Sequence, residues 1–268
     1  MTPLEEYYNK FNEDKRLLSR HGQVEFNTTL HYIRETISLY KDMRADIKIA
    51  DIGAGTGRYS LLLAKEGYDV TAVELVKYNL GILKKHAREE LPENAKLTAI
   101  QGNAVKLKKL PDESFDVTLL LGPMYHLHNE EDKIRALSEA RRITKPGGRI
   151  FTAYVMSDYA VIKYGFMEGN ILDSITAGKL DEEYRIKSDE NELYEYVRME
   201  DINRLNEKTG LKRERIIAPD GAADYIRPYL NSMSEEAFNT FLDYQIKNSA
   251  RAELLGASSH LVDILIKE

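Results

Sequence analysis

The most restrictive feature of the sequence is a run of glycines at alternate positions between an apolar segment and a helical pattern. Residues 47–60 read IKIADIGAGTGRYS, with Gly53, Gly55 and Gly57 after a β-branched run, and residues 61–64 continue as a helix. Glycine is needed where the backbone takes a positive φ or where a ligand lies against it. The N-terminus of the following helix offers N–H groups to such a ligand. The stretch therefore predicts a strand, a tight turn and a helix that bind a nucleotide-like cofactor.

The spacing of these glycines and the acid before them separate two classes of cofactor. The dinucleotide fingerprint is G-x-G-x-x-G, whereas this turn is G-x-G-x-G and continues with Arg58 and Tyr59. Asp51 lies at the ligand end of the strand, where its carboxylate repels a pyrophosphate and attracts a ligand with an ammonium and a sulfonium group. This favours a sulfonium cofactor, with a nicotinamide-dependent oxidoreductase and a turn without ligand as the alternatives.

Composition limits the classes of function. The chain has 268 residues, a formal net charge of −6 and no cysteine. That length suits one large α/β domain with insertions, and the negative charge argues against a general affinity for nucleic acid. Disulfides, thiolate catalysis and cysteine-ligated metals are excluded. Without a signal-peptide core or an apolar run of about 18 residues, the sequence predicts a cytoplasmic protein that does not enter a membrane.

A second acidic position follows the second predicted strand. Residues 68–73 form a β-rich run that ends at Glu74, and 74 minus 53 gives a separation of 21 positions from the first glycine. In a doubly wound fold this brings the tip of the second strand beside the first, where a carboxylate can accept both ribose hydroxyls. NAD-binding folds have an acid here too, so Glu74 indicates adenosine without separating the cofactors. The candidates to pack on the adenine follow it: Leu75, Tyr78 and Leu80.

The next strands bring further side chains to the same edge. A helix is predicted over 77–90, a third strand over 95–101, and a nearly all-apolar strand over 115–121, as for a central strand covered on both faces. Beyond it lie Tyr125 and His126, the candidates for acid–base chemistry, since histidine is most easily poised near neutral pH. Packing of the turn is the alternative role. With only His128 nearby, no metal site is predicted.

These features, in this order, resemble the class I S-adenosylmethionine-dependent methyltransferases. The resemblance covers residues 47–155. It includes Lys145-Pro146-Gly147-Gly148, the typical approach to the fifth strand. It implies an α/β fold with a doubly wound, seven-stranded, mostly parallel Rossmann-like sheet whose last strand is antiparallel. The cofactor-binding residues that it implies are Asp51, Gly53, Ala54, Gly55, Gly57, Glu74, Leu75, Asn103, Ala104 and Gly122.

The resemblance also implies a role for each of these groups. Asp51 serves the amino-acid end of S-adenosylmethionine and Glu74 holds the ribose. The Asn103 carbonyl oxygen accepts from the adenine amino group, beside the Ala104 N–H for a ring nitrogen, although an ordinary Asx turn is the alternative for Asn103. Gly122 lies beside the reaction centre.

The acceptor is indicated only as a class. The Asn/Asp-Pro-Pro-Tyr/Phe sequence of nucleic-acid amino-methyltransferases is absent, and residues 121–127, LGPMYHL, are closer to methyltransferases of small molecules. The sequence therefore predicts methyl transfer to a small-molecule acceptor. An RNA or protein methyltransferase and a non-catalytic module that binds S-adenosylmethionine are the alternatives. The identity of the acceptor, the atom methylated and the choice between monomer and homodimer stay open.

The remaining segments are predicted to surround this core within one methyltransferase domain, 1–268. An N-terminal helical cap (1–46) has helices over 2–19 and 24–40, with a break at His21-Gly22. The core (47–155) precedes an insertion or lid (156–200) and a C-terminal part of the sheet (201–268) with a helical insertion over 222–250. Side chains of the cap that could close over the cofactor are Tyr7, Tyr8 and Phe11, and His260 before the last strand could point to the site. The N-terminal segment also resembles that of one bacterial branch of these methyltransferases, which implies that His21, Gly22, Glu25 and Phe26 face the active site.

Overall fold

The structure is a computed structural model that describes Tyr7 and residues 19–40, 46–256 and 258–268. The helix predicted over 2–19, with Tyr8 and Phe11, lies outside the described residues apart from Tyr7 and Ser19. Among the helices of the described ranges, none combines the length and apolar character that a membrane span requires.

One mixed sheet organises the chain. Its strands are β1 (Lys48–Ile52), β2 (Asp69–Glu74), β3 (Leu97–Gln101), β4 (Phe115–Leu120), β5 (Thr144–Met156), β6 (Tyr196–Val197), β7 (Lys212–Ile217) and β8 (His260–Ile266). Seven of them run in the order β3-β2-β1-β4-β5-β8-β7, and the short β6 pairs with β5. Strand β8 is antiparallel to both β5 and β7, while β1 to β5 pair in parallel. The predicted doubly wound sheet with an antiparallel last strand is confirmed.

Helices cover both faces of the sheet. They are α1 (Arg20–Ser38), α2 (Arg58–Lys65), α3 (Lys77–Glu90), α4 (Glu130–Ile143), α5 (Ser157–Ala160), α6 (Ile171–Thr176), α7 (Met199–Thr209), α8 (Arg227–Ser232) and α9 (Glu235–Asn248). Short 3₁₀ helices span Pro123–His126 and Ala252–Leu254, and a π-helical segment spans Val161–Met167.

The central strand β4 shows how the two layers form. All six of its residues are buried. Val117 and Leu119 pack in one core with Ile33 of α1, whereas Leu120 packs in a second core with Leu137 of α4. Successive strand residues point to opposite faces, so a strand that is buried on both faces joins the two helical layers.

Two helix predictions are wrong, one in where the helix begins and one in its continuity. The expected break at His21-Gly22 lies inside α1, because the Ser19 side chain caps the helix by accepting from the Gly22 N–H at 3.4 Å. The helix predicted over 222–250 is divided into α8 and α9. Ser234 starts the second helix, because its side chain accepts from the Ala237 N–H at 3.2 Å. Serine is a preferred residue at the N-cap of a helix.

The Lys-Pro-Gly-Gly segment has a structural explanation. Lys145 Nζ lies 2.9 Å from Asp116 Oδ1, and Oδ2 of this buried carboxylate accepts from the Lys48 N–H at 2.8 Å. A Cβ on Gly148 would lie 2.6 Å from Thr144 Cγ2 and 2.9 Å from the Asp116 carbonyl oxygen. The segment therefore fixes β5 against β4 and β1, and it is itself part of β5, which begins at Thr144.

We expect Gly148→Ala to lower the free energy of unfolding by about 1–3 kcal/mol, because the new methyl group meets backbone oxygens that cannot move away. Gly81→Ala is the matched control, since a Cβ there meets nothing within 4 Å and alanine in a helix stabilises by roughly 0.5–1 kcal/mol. Urea unfolding of both variants measures the difference. Equal stabilities would contradict the packing explanation.

Candidate active site

A cleft opens where β1, β2 and β4 end. Its free space is about 1,340 Å³, part of it open to solvent. The order of the strands in the sheet reverses between β1 and β4. In doubly wound folds, ligands usually bind at this switch point, outside the carboxyl ends of the strands. Every predicted cofactor-binding or catalytic residue lines the cleft except Gly57.

The glycine turn has the conformation that the sequence predicts. Gly53, Gly55 and Gly57 have φ values of 80°, 57° and 94°. A Cβ on Gly53 would lie 2.6 Å from Pro123 Cδ, so this glycine lets the ends of β1 and β4 approach each other. A Cβ on Gly57 would lie 2.6 Å from Leu83 Cγ. This glycine therefore allows close packing of α2 and α3, and it does not line the cleft.

The Glu74 carboxylate is buried at the tip of β2. Its Oε2 accepts from the Gly55 N–H and its Oε1 accepts from the Val76 N–H, both at 2.8 Å. The first bond reaches the glycine turn and the second reaches the start of α3. A carboxylate oxygen can accept more than one hydrogen bond, so this fixed group can also accept ribose hydroxyls from the cleft.

Asp51 is a second buried carboxylate, below the glycine turn. Ser60 Oγ donates to its Oδ2 at 2.5 Å. Burial, with a smaller contribution from the charge of Glu74, raises the pKa of Asp51 to about 6, although the Ser60 bond opposes the rise. Burial makes the ionised form of Asp51 unfavourable. A cationic ligand nearby would stabilise that form, so this carboxylate is suited to bind one.

Leu75, Asn103 and Ala104, which were predicted to surround the adenine, all line the cleft. Asn103 Oδ1 accepts from the Val105 N–H at 3.1 Å, so the Asx turn considered in the sequence is present. Among the three candidates to pack on an adenine, Leu75 lines the cleft, whereas Tyr78 and Leu80 are not among its lining residues.

Tyr125 and His126 occupy the 3₁₀ helix after β4. The Tyr125 hydroxyl donates to the Leu121 carbonyl at 3.1 Å. The backbone carbonyl of Tyr125 accepts from the Glu195 N–H at 2.8 Å. His126 stacks on Tyr194 with 5.5 Å between ring centroids. The residues just before β6 therefore hold the turn that carries both predicted catalytic side chains.

The protonation of His126 follows from its contacts. Its Nδ1 lies 2.9 Å from the Leu193 carbonyl oxygen, an atom that only accepts, so the proton is on Nδ1. Burial lowers the pKa of His126 to about 4. The imidazole is therefore neutral at physiological pH, with its lone pair on Nε2.

A third group of side chains lies at the cleft, and the sequence indicated it only weakly. Asp220, in the loop after β7, accepts at Oδ2 from the His260 backbone N–H at 2.8 Å and from His260 Nδ1 at 2.9 Å. Glu25 of α1 completes the group: one ligand atom of each residue lies within 4.8 Å of the others. Glu25 and His260 line the cleft. No local motif could identify these residues together, because they are far apart in the sequence.

The metal prediction considered a different pair of residues. His128 Nδ1 lies 3.7 Å from Glu195 Oε2, so this histidine faces an acid of the segment before β6. The His-x-His pair and the Glu25, Asp220 and His260 group are separate features of the described chain.

Comparisons with known proteins agree with this architecture. Residues 50–152 match the family model described as a methyltransferase domain. The demethylmenaquinone methyltransferase of Paenarthrobacter aurescens is 36% identical over 112 residues, which are 42% of this chain and 40% of the relative. That of Streptomyces avermitilis is 39% identical over 120 residues, 44% of this chain and 46% of the relative. The chain thus spans less than half the length of these curated relatives.

A solved structure extends the similarity of fold to nearly the whole chain. Magnesium protoporphyrin IX methyltransferase from Synechocystis PCC 6803, solved with bound SAH, has a TM-score of 0.58 and 13% identity, with 98% of each chain covered. The fold and the glycine turn are those of a nucleotide-binding α/β protein. Together with the family match over residues 50–152, they confirm that this part of the chain is a methyltransferase domain with the fold predicted for S-adenosylmethionine-dependent enzymes.

We expect Asp51→Asn to stabilise the protein and to weaken the binding of S-adenosylmethionine. The folded-state pKa of Asp51 is raised from 3.8 to about 6, so ionisation lowers stability as pH rises through this window. Above it the variant should be more stable by about 1–3 kcal/mol, and below about pH 4 the gain should vanish. Urea unfolding across pH measures this difference.

Calorimetry on the same variant measures the binding side. Affinity of the wild type should fall as pH drops below about 6, and that of Asp51→Asn should be lower and less dependent on pH. Ser60→Thr, which keeps the hydroxyl, is the control for the local hydrogen bond. Unchanged binding in Asp51→Asn would contradict a role for this carboxylate.

Proposed function

We propose that this protein transfers a methyl group from S-adenosylmethionine to a small-molecule acceptor. The observation that carries the proposal is the buried Glu74 carboxylate, fixed by N–H groups of both Gly55 and Val76 at the mouth of the glycine turn. An ionised carboxylate in such a place favours a ligand that presents hydroxyl donors to it.

The residues of the cleft fit this cofactor. Glu74 would accept from the ribose hydroxyls, Asp51 would attract the ammonium of the amino-acid end, and Asn103, Ala104 and Leu75 would surround the adenine. When bound, S-adenosylmethionine supplies a methyl carbon that its sulfonium already activates. The protein then has to align a nucleophile with that carbon and exclude water.

The acceptor side is assigned to the opposite part of the cleft. We assign Tyr125 and His126 to its wall, next to Gly122, and they would orient the acceptor. Its other lining residues include Glu25 and His260. The absence of an Asn-Pro-Pro-Tyr sequence after β4 and the similarity to methyltransferases named for demethylmenaquinone support a small-molecule acceptor.

Binding of the cofactor is tested by titration calorimetry with S-adenosylmethionine, S-adenosylhomocysteine and NAD. We expect both sulfur compounds to bind and NAD not to bind. Glu74→Gln should weaken binding about 10- to 100-fold, because an amide NH₂ would face one of the two N–H donors and a hydrogen bond to a charged group is worth roughly 1.5–3 kcal/mol. The control is Glu236→Gln, an exposed position on α9. Equal affinities in the two variants would overturn the role of Glu74.

Methyl transfer is tested separately with S-adenosylmethionine labelled in the methyl group. Pooled aromatic hydroxy compounds and amines, total RNA and casein serve as acceptors. We expect label in the low-molecular-mass fraction and none above background in the precipitated RNA or protein. Label in the macromolecules alone would reject the small-molecule acceptor, and binding without any transfer would favour a non-catalytic module.

A further inference from the structure

The pair formed by Asp220 and His260 has the geometry of an oriented base. One carboxylate oxygen accepts from both the backbone N–H and the Nδ1 of His260, at 2.8 and 2.9 Å. Asp220 is buried, and the His260 side chain is only 18% exposed. These two bonds fix the ring, place its proton on Nδ1 and leave the lone pair of the neutral form on Nε2.

The pair lies at the acceptor side of the cleft. His260 and Tyr125 both line it, with 6.1 Å between their ring centroids. The charged and titratable groups around the pair come from three other elements: Glu25 and His21 of α1, Tyr125 of the 3₁₀ helix, Asp224 before α8 and Arg227 in it. Asp224 is itself ion-paired with Arg227, and Asp220 is the carboxylate that accepts from His260 Nδ1.

We propose that His260 is the general base of the reaction, that Asp220 is its positioning residue, and that the acceptor group is a phenol-type hydroxyl. This inference rests on the proposed methyl transfer. His260 Nε2 takes the hydroxyl proton while the acceptor oxygen forms its bond to the methyl carbon. The carbon–sulfur bond breaks with its electron pair passing to sulfur, so the products are a methyl ether, S-adenosylhomocysteine and an imidazolium beside the Asp220 carboxylate.

The class of acceptor follows from what each nucleophile requires. A neutral amine already has a lone pair for the methyl carbon and needs no base in the step. A hydroxyl is a poor nucleophile until it loses its proton, which is the function of an Asp–His pair. An ordinary imidazole, with a pKa of about 6.5, can share the proton of a phenol, whose pKa is about 10, far more readily than that of an aliphatic alcohol.

His126 is less suited to this step. Its ring lies against Tyr194 and its Nδ1 donates to a neutral carbonyl instead of a carboxylate. A neutral carbonyl stabilises an imidazolium less than a carboxylate does. The geometry therefore separates the two histidines of the cleft: His126 packs the wall and His260 accepts the proton.

The experiment compares two acceptors that differ in acidity. Catechol needs a base, whereas 4-nitrophenol is already largely ionised in mildly alkaline buffer. We expect His260→Gln to lower methyl transfer to catechol by about 10²–10⁴-fold and to affect 4-nitrophenol far less. His31→Gln, an exposed histidine on the same chain, is the control that keeps wild-type rates. Calorimetry with S-adenosylhomocysteine shows separately whether each variant keeps its cofactor site.

The positioning role of Asp220 has its own readouts. Long-range ¹H–¹⁵N spectra should show neutral His260 with its proton on Nδ1. Asp220→Asn should lower the pKa of His260, and with it the acidic limb of the pH–rate profile. His126→Gln should leave that limb in place even if the rate falls. A neutral His260 with its proton on Nε2 would overturn the assignment.

Other outcomes overturn the proposal while leaving the proposed function intact. Methylation of amines but of no hydroxyl compound would reject the acceptor class. An equal loss with both phenols in His260→Gln would reject the base. Activity that requires added Mg²⁺ and is abolished by EDTA would make Glu25, Asp220 and His260 a metal site instead. Loss of cofactor binding in the wild type would reject the proposed function itself.

Discussion

The carboxylate of Glu74 is the interaction on which the rest of the site depends. It is buried, it closes the tip of β2 against the glycine turn after β1, and it also holds the N–H of Val76 at the start of α3. A buried carboxylate is tolerated only when hydrogen bonds satisfy it. Since two of its bonds come from two different loops, the same charge fixes the shape of the cleft and is the group that we propose for recognition of the cofactor.

The two sides of the cleft are built in different ways. The proposed cofactor side comes mainly from the first two β–α units, so its glycines and carboxylates lie close together in the sequence. The proposed acceptor side is assembled from α1, the 3₁₀ helix after β4, the loop after β7 and the start of β8, which are far apart in the sequence.

Local patterns predicted most of the fold because the relevant interactions are local. The glycine turn, the apolar strand β4 and the helix α3 were all recognisable from spacing and polarity. The errors among the helices arose where one capping side chain decides the outcome: Ser19 starts α1 before the break that was expected at Gly22, and Ser234 starts a second helix within a region predicted as one. The role of Lys145 was also hidden, since its partner Asp116 lies on a neighbouring strand.

By itself the sequence determined the doubly wound fold and the class of cofactor, because positive-φ glycines, an acid before them and an acid after β2 act through contacts fixed by short separations along the chain. Only the tertiary structure decided that His260 lies against the buried carboxylate of Asp220. The residue types alone do not show which of His126 and His260 is bonded to a carboxylate and which to a backbone carbonyl. Their different environments arise when β8 returns antiparallel beside β5 and brings His260 to Asp220, whereas the segment before β6 covers His126.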